Sequence, residues 1–134
     1  MPNPTSTQWS TRSSVTAGDE VFRPELLTFA GAATVLKGCI LARDSVSLKL
    51  VPFVKGGSTN QNGIPKAVIT YDVTATGAGD IPVNALVGGK VEGGKLIINA
   101  DGNGSNIDAA VIDQLRDYGI DVLPAATQLN IADN

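Results

Sequence analysis

The stretch Lys66–Val91, KAVITYDVTATGAGDIPVNALVGGKV, restricts the possible folds of this chain more than any other part of it. Its Val, Ile, Thr and Tyr suit a pleated, half-buried surface, and Thr76-Gly77-Ala78-Gly79-Asp80 interrupts them, so the stretch predicts two strands joined at that breaker in a hairpin-like unit. It contains no nucleophile–base pair and no metal cluster. What it offers is shape, which points to a protein that binds by its surface.

The rest of the chain extends the β pattern. Glu20–Arg23 and Leu26–Phe29 predict short strands split at Pro24, which cannot donate to a ladder. Thr34–Ala42 reads as a strand bent at Gly38. Arg43–Ser47 turns the chain into Leu48–Val54, with Leu48, Leu50 and Pro52 on one face and Lys49, Val51 and Phe53 on the other. Lys55–Pro65 is a Gly- and Asn-containing surface loop. Beyond the central stretch, Glu92-Gly93-Gly94 predicts a tight turn from which Lys95–Asn99 returns as a strand, and Gly88 and Gly89 read as turn or bulge residues. Asn106 is placed to cap a helix over Ile107–Tyr118, where Ile107, Val111, Leu115 and Tyr118 recur at helical spacing and Gly119 terminates. Ile120–Leu123 predicts a last strand, stopped by Pro124.

This reading is mainly β (α+β): a compact β-rich body with one short helix near the C-terminus. The 134 residues allow one domain of ordinary size and a tail besides. The segment 1–18 is Ser-, Thr-, Pro- and Asn-rich with almost no aliphatic residues and predicts a flexible N-terminal arm. The body occupies 19–124 and a weakly patterned tail 125–134. Within the arm, Trp9 reads either as incidental or as an anchor that becomes buried against a partner. With 43% hydrophobic but only 4% aromatic residues, the core must be aliphatic.

Composition also excludes functions. The net charge is −3, and ten Lys and Arg are dispersed singly, whereas phosphate binding needs clustered basic residues; nucleic acid is not the expected partner. No apolar run approaches a membrane span and the first residues lack the apolar middle of a signal peptide, so the expectation is a protein soluble in the cytoplasm of the cell that makes it. The lone Cys39 reads as a small hydrophobe in a strand. The chain has no His, which removes the usual general base and the commonest zinc ligand. Gly89–Lys95 spells G-x-x-x-x-G-K, but Leu96 replaces the magnesium-binding Ser or Thr and a strand pattern follows. Asp101–Ser105 resembles the start of a calcium loop, yet Asn106 and Ile112 stand where the loop needs Gly and Glu. No catalytic, cofactor or metal site is expected.

Gly38–Arg43, Lys49–Phe53, Ala67–Thr76 and Ile81–Val91, taken in order, resemble the head decoration proteins of tailed bacteriophages, of the lambda D type. The helix followed by Tyr118-Gly119-Ile120-Asp121-Val122 is similar to that family's closing pattern. The resemblance spans roughly 18–123. It implies a β-tulip-like decoration domain, homotrimers at threefold and quasi-threefold positions on the outside of an expanded head, and stabilisation of the shell against internal DNA pressure. It further implies that the N-terminal arm orders against the major capsid protein. The arm carries no motif to transfer residue by residue, and Trp9, Arg12 and Val15 are its candidate capsid contacts on physical grounds. Competing readings are another virion component, such as a head fibre or tail subunit, and a small carbohydrate-binding module using Trp9 and the two Tyr.

Overall fold

The computed structural model of the chain describes residues 15–123. Among them are strands β1 (Thr16–Phe29), β2 (Ala33–Val35), β3 (Ile40–Arg43), β4 (Leu50–Pro52), β5 (Pro65–Val68), β6 (Val73–Ala75) and β7 (Gly79–Glu92), then a 3₁₀ turn Gly93–Lys95, helix α1 (Ala109–Asp117) and strand β8 (Ile120–Leu123). The body is therefore mostly β with one short helix near the C-terminus, as the sequence predicts.

Strands β1, β4, β3, β5 and β7 are neighbours in that order, and β1 also pairs with β7, so the five close into a barrel. Strand β8 lies beside β7, while β2 and β6 form a separate two-stranded ribbon. Closure matters because it pairs most of the edges that a flat sheet would expose.

Two apolar layers flank the barrel wall, and strand alternation explains them. All five barrel strands contribute to the inner one, through Leu27, Leu50, Leu41, Ala67 and Val83, and the β2–β6 ribbon adds Val35, Val73 and Ala75. The outer layer joins Ile40, Ala42, Val68 and Leu86 to Val111 and Leu115 of α1 and Ile120 of β8. Buried on both faces, β3 is accordingly an unbroken apolar run, Ile40-Leu41-Ala42.

The long antiparallel pair β1–β7 differs most from expectation. Pro24 does not split β1, which runs for 14 residues and pairs Phe22↔Leu86, Pro24↔Asn84 and Leu26↔Pro82. The Asn84 N–H points away from β1 and donates to Tyr71 Oη at 2.8 Å. Pro24–Asn84 is thus a pair without ladder bonds, and Leu26–Pro82, two residues along, falls in the same class. Neither proline nitrogen is asked to donate, which is how both are tolerated.

The Lys66–Val91 hairpin does not form. Its first strand divides into β5 and β6; β6 pairs with β2, and β5 meets β7 at the single register pair Val68↔Leu86. Thr34–Ala42 likewise divides at Gly38 into β2 and β3, in different sheets. The predicted return strand at Lys95–Asn99 is replaced by the 3₁₀ turn and isolated bridges, Cys39↔Ile97 and Ile98↔Asn103. Only Leu50–Pro52 of Leu48–Val54 is strand, and Leu48, at φ 65°, lies outside extended geometry ahead of it.

The helix is shorter than predicted. It is capped by Asp108, whose Oδ1 accepts from Val111 N at 3.1 Å, and not by Asn106. The Asn106 side chain instead donates to Asp101 Oδ2 at 3.0 Å. Gly89, at φ 114°, lies opposite a bulge in β1, and a Cβ there would lie 2.5 Å from the Asp19 carbonyl oxygen.

Candidate interaction surface

From Phe22 onward the register of β1 is regular, so Phe22, Pro24 and Leu26 share its outer face while Leu27 and Phe29 turn inward. Phe22 and Leu26 are 40% and 39% exposed, and these large apolar side chains lie four residues apart on one strand face. Opposite Leu26 stands Pro82, and Leu48 completes the patch at 63% exposure. Pro24, Leu26, Leu48 and Pro82, with Glu25 and Lys49, line a shallow groove of about 350 Å³.

Leu48 is held outward by its backbone. A bulky residue at positive φ is sterically disfavoured, so its neighbours must impose it. Leu48 N donates to the Asp44 carbonyl at 2.8 Å, and Arg43 Nη1 donates to the Leu48 carbonyl at 2.8 Å. Asp44 Oδ1 accepts from the amides of Val46 and Ser47, which draws its carboxyl below the usual range.

The charges around the patch are already paired. Arg43 grips Glu25 through two hydrogen bonds, Nη1–Oε1 at 3.0 Å and Nη2–Oε2 at 2.8 Å. That contact, chiefly the hydrogen bonding, lowers the Glu25 pKa and raises that of Arg43. Lys49 Nζ lies 2.6 Å from Asp80 Oδ2, and Thr28 Oγ1 donates to Asp80 Oδ1 at 2.8 Å; the two hold the Asp80 pKa down, Lys49 more strongly. An apolar centre with self-neutralised rim charges suits a partner surface of the same character.

The phosphate-loop and calcium-loop resemblances dissolve into local structure. Gly93 packs against the Leu123 carbonyl, where a Cβ would come within 2.6 Å. Asn103 Oδ1 accepts from Ser105 N at 2.9 Å and Asp101 from Asn106. Among the described residues, no group of three or more His, Cys, Asp or Glu could hold a metal ion, and no polar or charged residue is buried. Cys39 is fully buried, and that burial pushes its thiol pKa up to about 12. No described helix is long and apolar enough to cross a membrane.

Of the three candidate arm contacts, Trp9 and Arg12 lie outside the described residues, as does the tail 125–134. Val15 is a body residue: it is 1% exposed, packs in the outer apolar layer, and its carbonyl accepts from Glu92 N at 2.8 Å. Thr16 and Gly18 pair with Val91 and Lys90, so residues ahead of the expected boundary at 18 already belong to the body. Reading Pro24 as a strand break hides the exposed patch in the sequence. The period-two spacing of Phe22, Pro24 and Leu26 was the available signal, and the presence of Leu48 and Pro82 beside them depends on barrel closure. Comparison with protein-family models and with curated proteins finds no match to this chain.

Proposed function

We propose that this chain is a bacteriophage capsid decoration protein, which binds as homotrimers to the outside of the expanded head at threefold and quasi-threefold positions and braces it against internal DNA pressure. The observation that carries the reading is the exposed apolar patch Phe22–Pro24–Leu26–Leu48–Pro82 on a closed, mostly β body. Such a patch supports association with further copies or with the shell. Many modest contacts on a lattice reinforce one another, because each bound copy raises the effective concentration of the next contact. The segment ahead of Val15 is the second attachment, reaching the major capsid protein with Trp9 as its anchor.

The test is incubation of the purified protein with expanded phage heads lacking decoration, followed by cryo-microscopy and analytical ultracentrifugation. The expected result is a trimer in solution and density at the threefold positions. Leu26→Asp and Leu48→Asp, both at exposed sites, should lower occupancy at least about tenfold, as expected of a disrupted apolar contact. A monomer that leaves the heads bare overturns the reading, and binding along fibres or tails reassigns it to another virion component.

A further inference from the structure

A second surface feature lies at the other end of β7. Val15, Leu36, Leu96 and Ile97 provide the apolar part of a groove of about 440 Å³, within the size range of ligand-binding clefts. Lys37, Lys95 and Asp72 line it as well, and Leu36 is 41% exposed.

Its walls are fixed to one another. Ile97 N donates to the Gly38 carbonyl and Ile40 N to the Ile97 carbonyl, each at 2.9 Å, so segments 36–38 and 95–97 are stitched side by side. Ile98 N donates to the Asn103 carbonyl at 3.0 Å, which ties the 102–104 loop to the same wall. The backbone that carries Lys37 and Lys95 is thus already in place, and a ligand need not order it.

The charges set this groove apart. Among the described residues, Lys49, Lys55 and Lys90 pair with carboxylates and Lys66 lies over the Tyr118 ring. Lys37 and Lys95 are the two described lysines with neither kind of partner, and both line this one groove. Asp72 is the carboxylate among the lining residues, and its Oδ1 accepts from Lys37 N at 2.8 Å. Two lysines against one aspartate leave the groove positive on a chain of net charge −3. Like charges beside an apolar cleft raise a potential that a bound carboxylate relieves.

We infer that this groove binds an extended, acidic segment of another protein, with an aliphatic side chain against Leu36, Leu96 and Ile97 and carboxylates beside Lys37 and Lys95. In an extended chain, acids two residues to either side of a leucine share its face, so one short segment can supply all three groups. This assignment does not depend on the decoration reading.

The probe is the capped peptide Ser-Asp-Ser-Leu-Ser-Asp-Ser, titrated into the full chain labelled with nitrogen-15. It should shift amides of residues 36–37, 72, 94–97 and 102–104 saturably. Replacing its leucine by serine, or both aspartates by lysine, should weaken binding at least about tenfold, since apolar contact and charge both contribute. Lys37 and Lys95 are exposed, so the double variant Lys37→Glu/Lys95→Glu keeps the fold and should reverse the preference towards the lysine peptide. Absence of saturable shifts overturns the inference, as do equal affinities for the three peptides or an unchanged preference in the double variant. Shifts centred on Phe22, Leu26 and Leu48 overturn it in favour of the other groove. Concentration-dependent shifts of the same amides without peptide overturn it in favour of a second copy.

Discussion

Gly89 and Gly77 differ in what their backbones demand. Gly89 combines positive φ with the Asp19 carbonyl standing where a Cβ would go, whereas Gly77 has open space and no such φ. Gly89→Ala should therefore cost about 2–3 kcal/mol, combining a strained conformation with a backbone collision. Gly77→Ala should stay within about 0.5 kcal/mol of the parent, a comparison that urea midpoints settle. The Glu25–Arg43 pair adds a pH dependence. Its folded-state pKa lies below the ordinary value of 4.5, so its contribution is complete above that value and is lost as pH falls through the folded-state pKa. Glu25→Gln should cost about 1–2 kcal/mol at pH 7, because the Glu25 side chain is only 12% exposed and the grip is two-pronged, and should flatten the decline in stability below about pH 4.5. Thermal melts between pH 3 and pH 7 measure both effects.

At the scale of elements, α1 shows how a short helix finds its start. Asn106 and Asp108 are both good capping residues, and sequence order favoured the first because Ile107 continues the apolar spacing. Gly104 and Ile107 remain in a turn, with Ile107 N donating to the Gly104 carbonyl at 3.1 Å, which delays the helix by two residues. Lys55 Nζ, 2.9 Å from Asp108 Oδ2, then fixes the cap from another loop and is the first cause of that carboxyl's lowered pKa. Asp108→Ala should lower the thermal midpoint clearly while Asn106→Ala should leave helix content, followed by far-ultraviolet circular dichroism, unchanged. The helix itself was legible because Val111 and Leu115 repeat at four residues and both are buried. The division of Thr34–Ala42 was not, since a glycine bend and a change of sheet look alike along one strand. Gly38 separates them at φ 93°, where its N–H reaches the Ile69 carbonyl at 2.7 Å and a Cβ would strike the Lys95 carbonyl.

For the whole molecule, closure of the barrel by β1 on β7 decides where the N-terminal arm can be cut. Removing residues 1–13 should leave the thermal midpoint within a few degrees of the full chain, while removing 1–18 deletes Val15 and the first rungs with β7. Burying Val15 alone contributes about 1.5–3 kcal/mol, so the longer truncation should melt far lower; calorimetry of the two proteins checks this. A test of arm function must use the shorter cut, because loss of binding by the longer one would report damage to the body.

By itself the sequence determined the local chemistry: apolar runs of strand length, one helical repeat, breaker-rich loops, and no His to support the commonest catalytic and zinc-binding arrangements. These follow from side-chain size, branching and spacing along the chain. Only the tertiary structure decided which runs pair, that Pro24 sits inside a strand, that Val15 belongs to the core, and that Leu26, Leu48 and Pro82 share one patch. Each of these depends on contacts between residues far apart in sequence, such as Leu26 with Pro82, and such pairing is set by the closure of the whole barrel and carries no local signature.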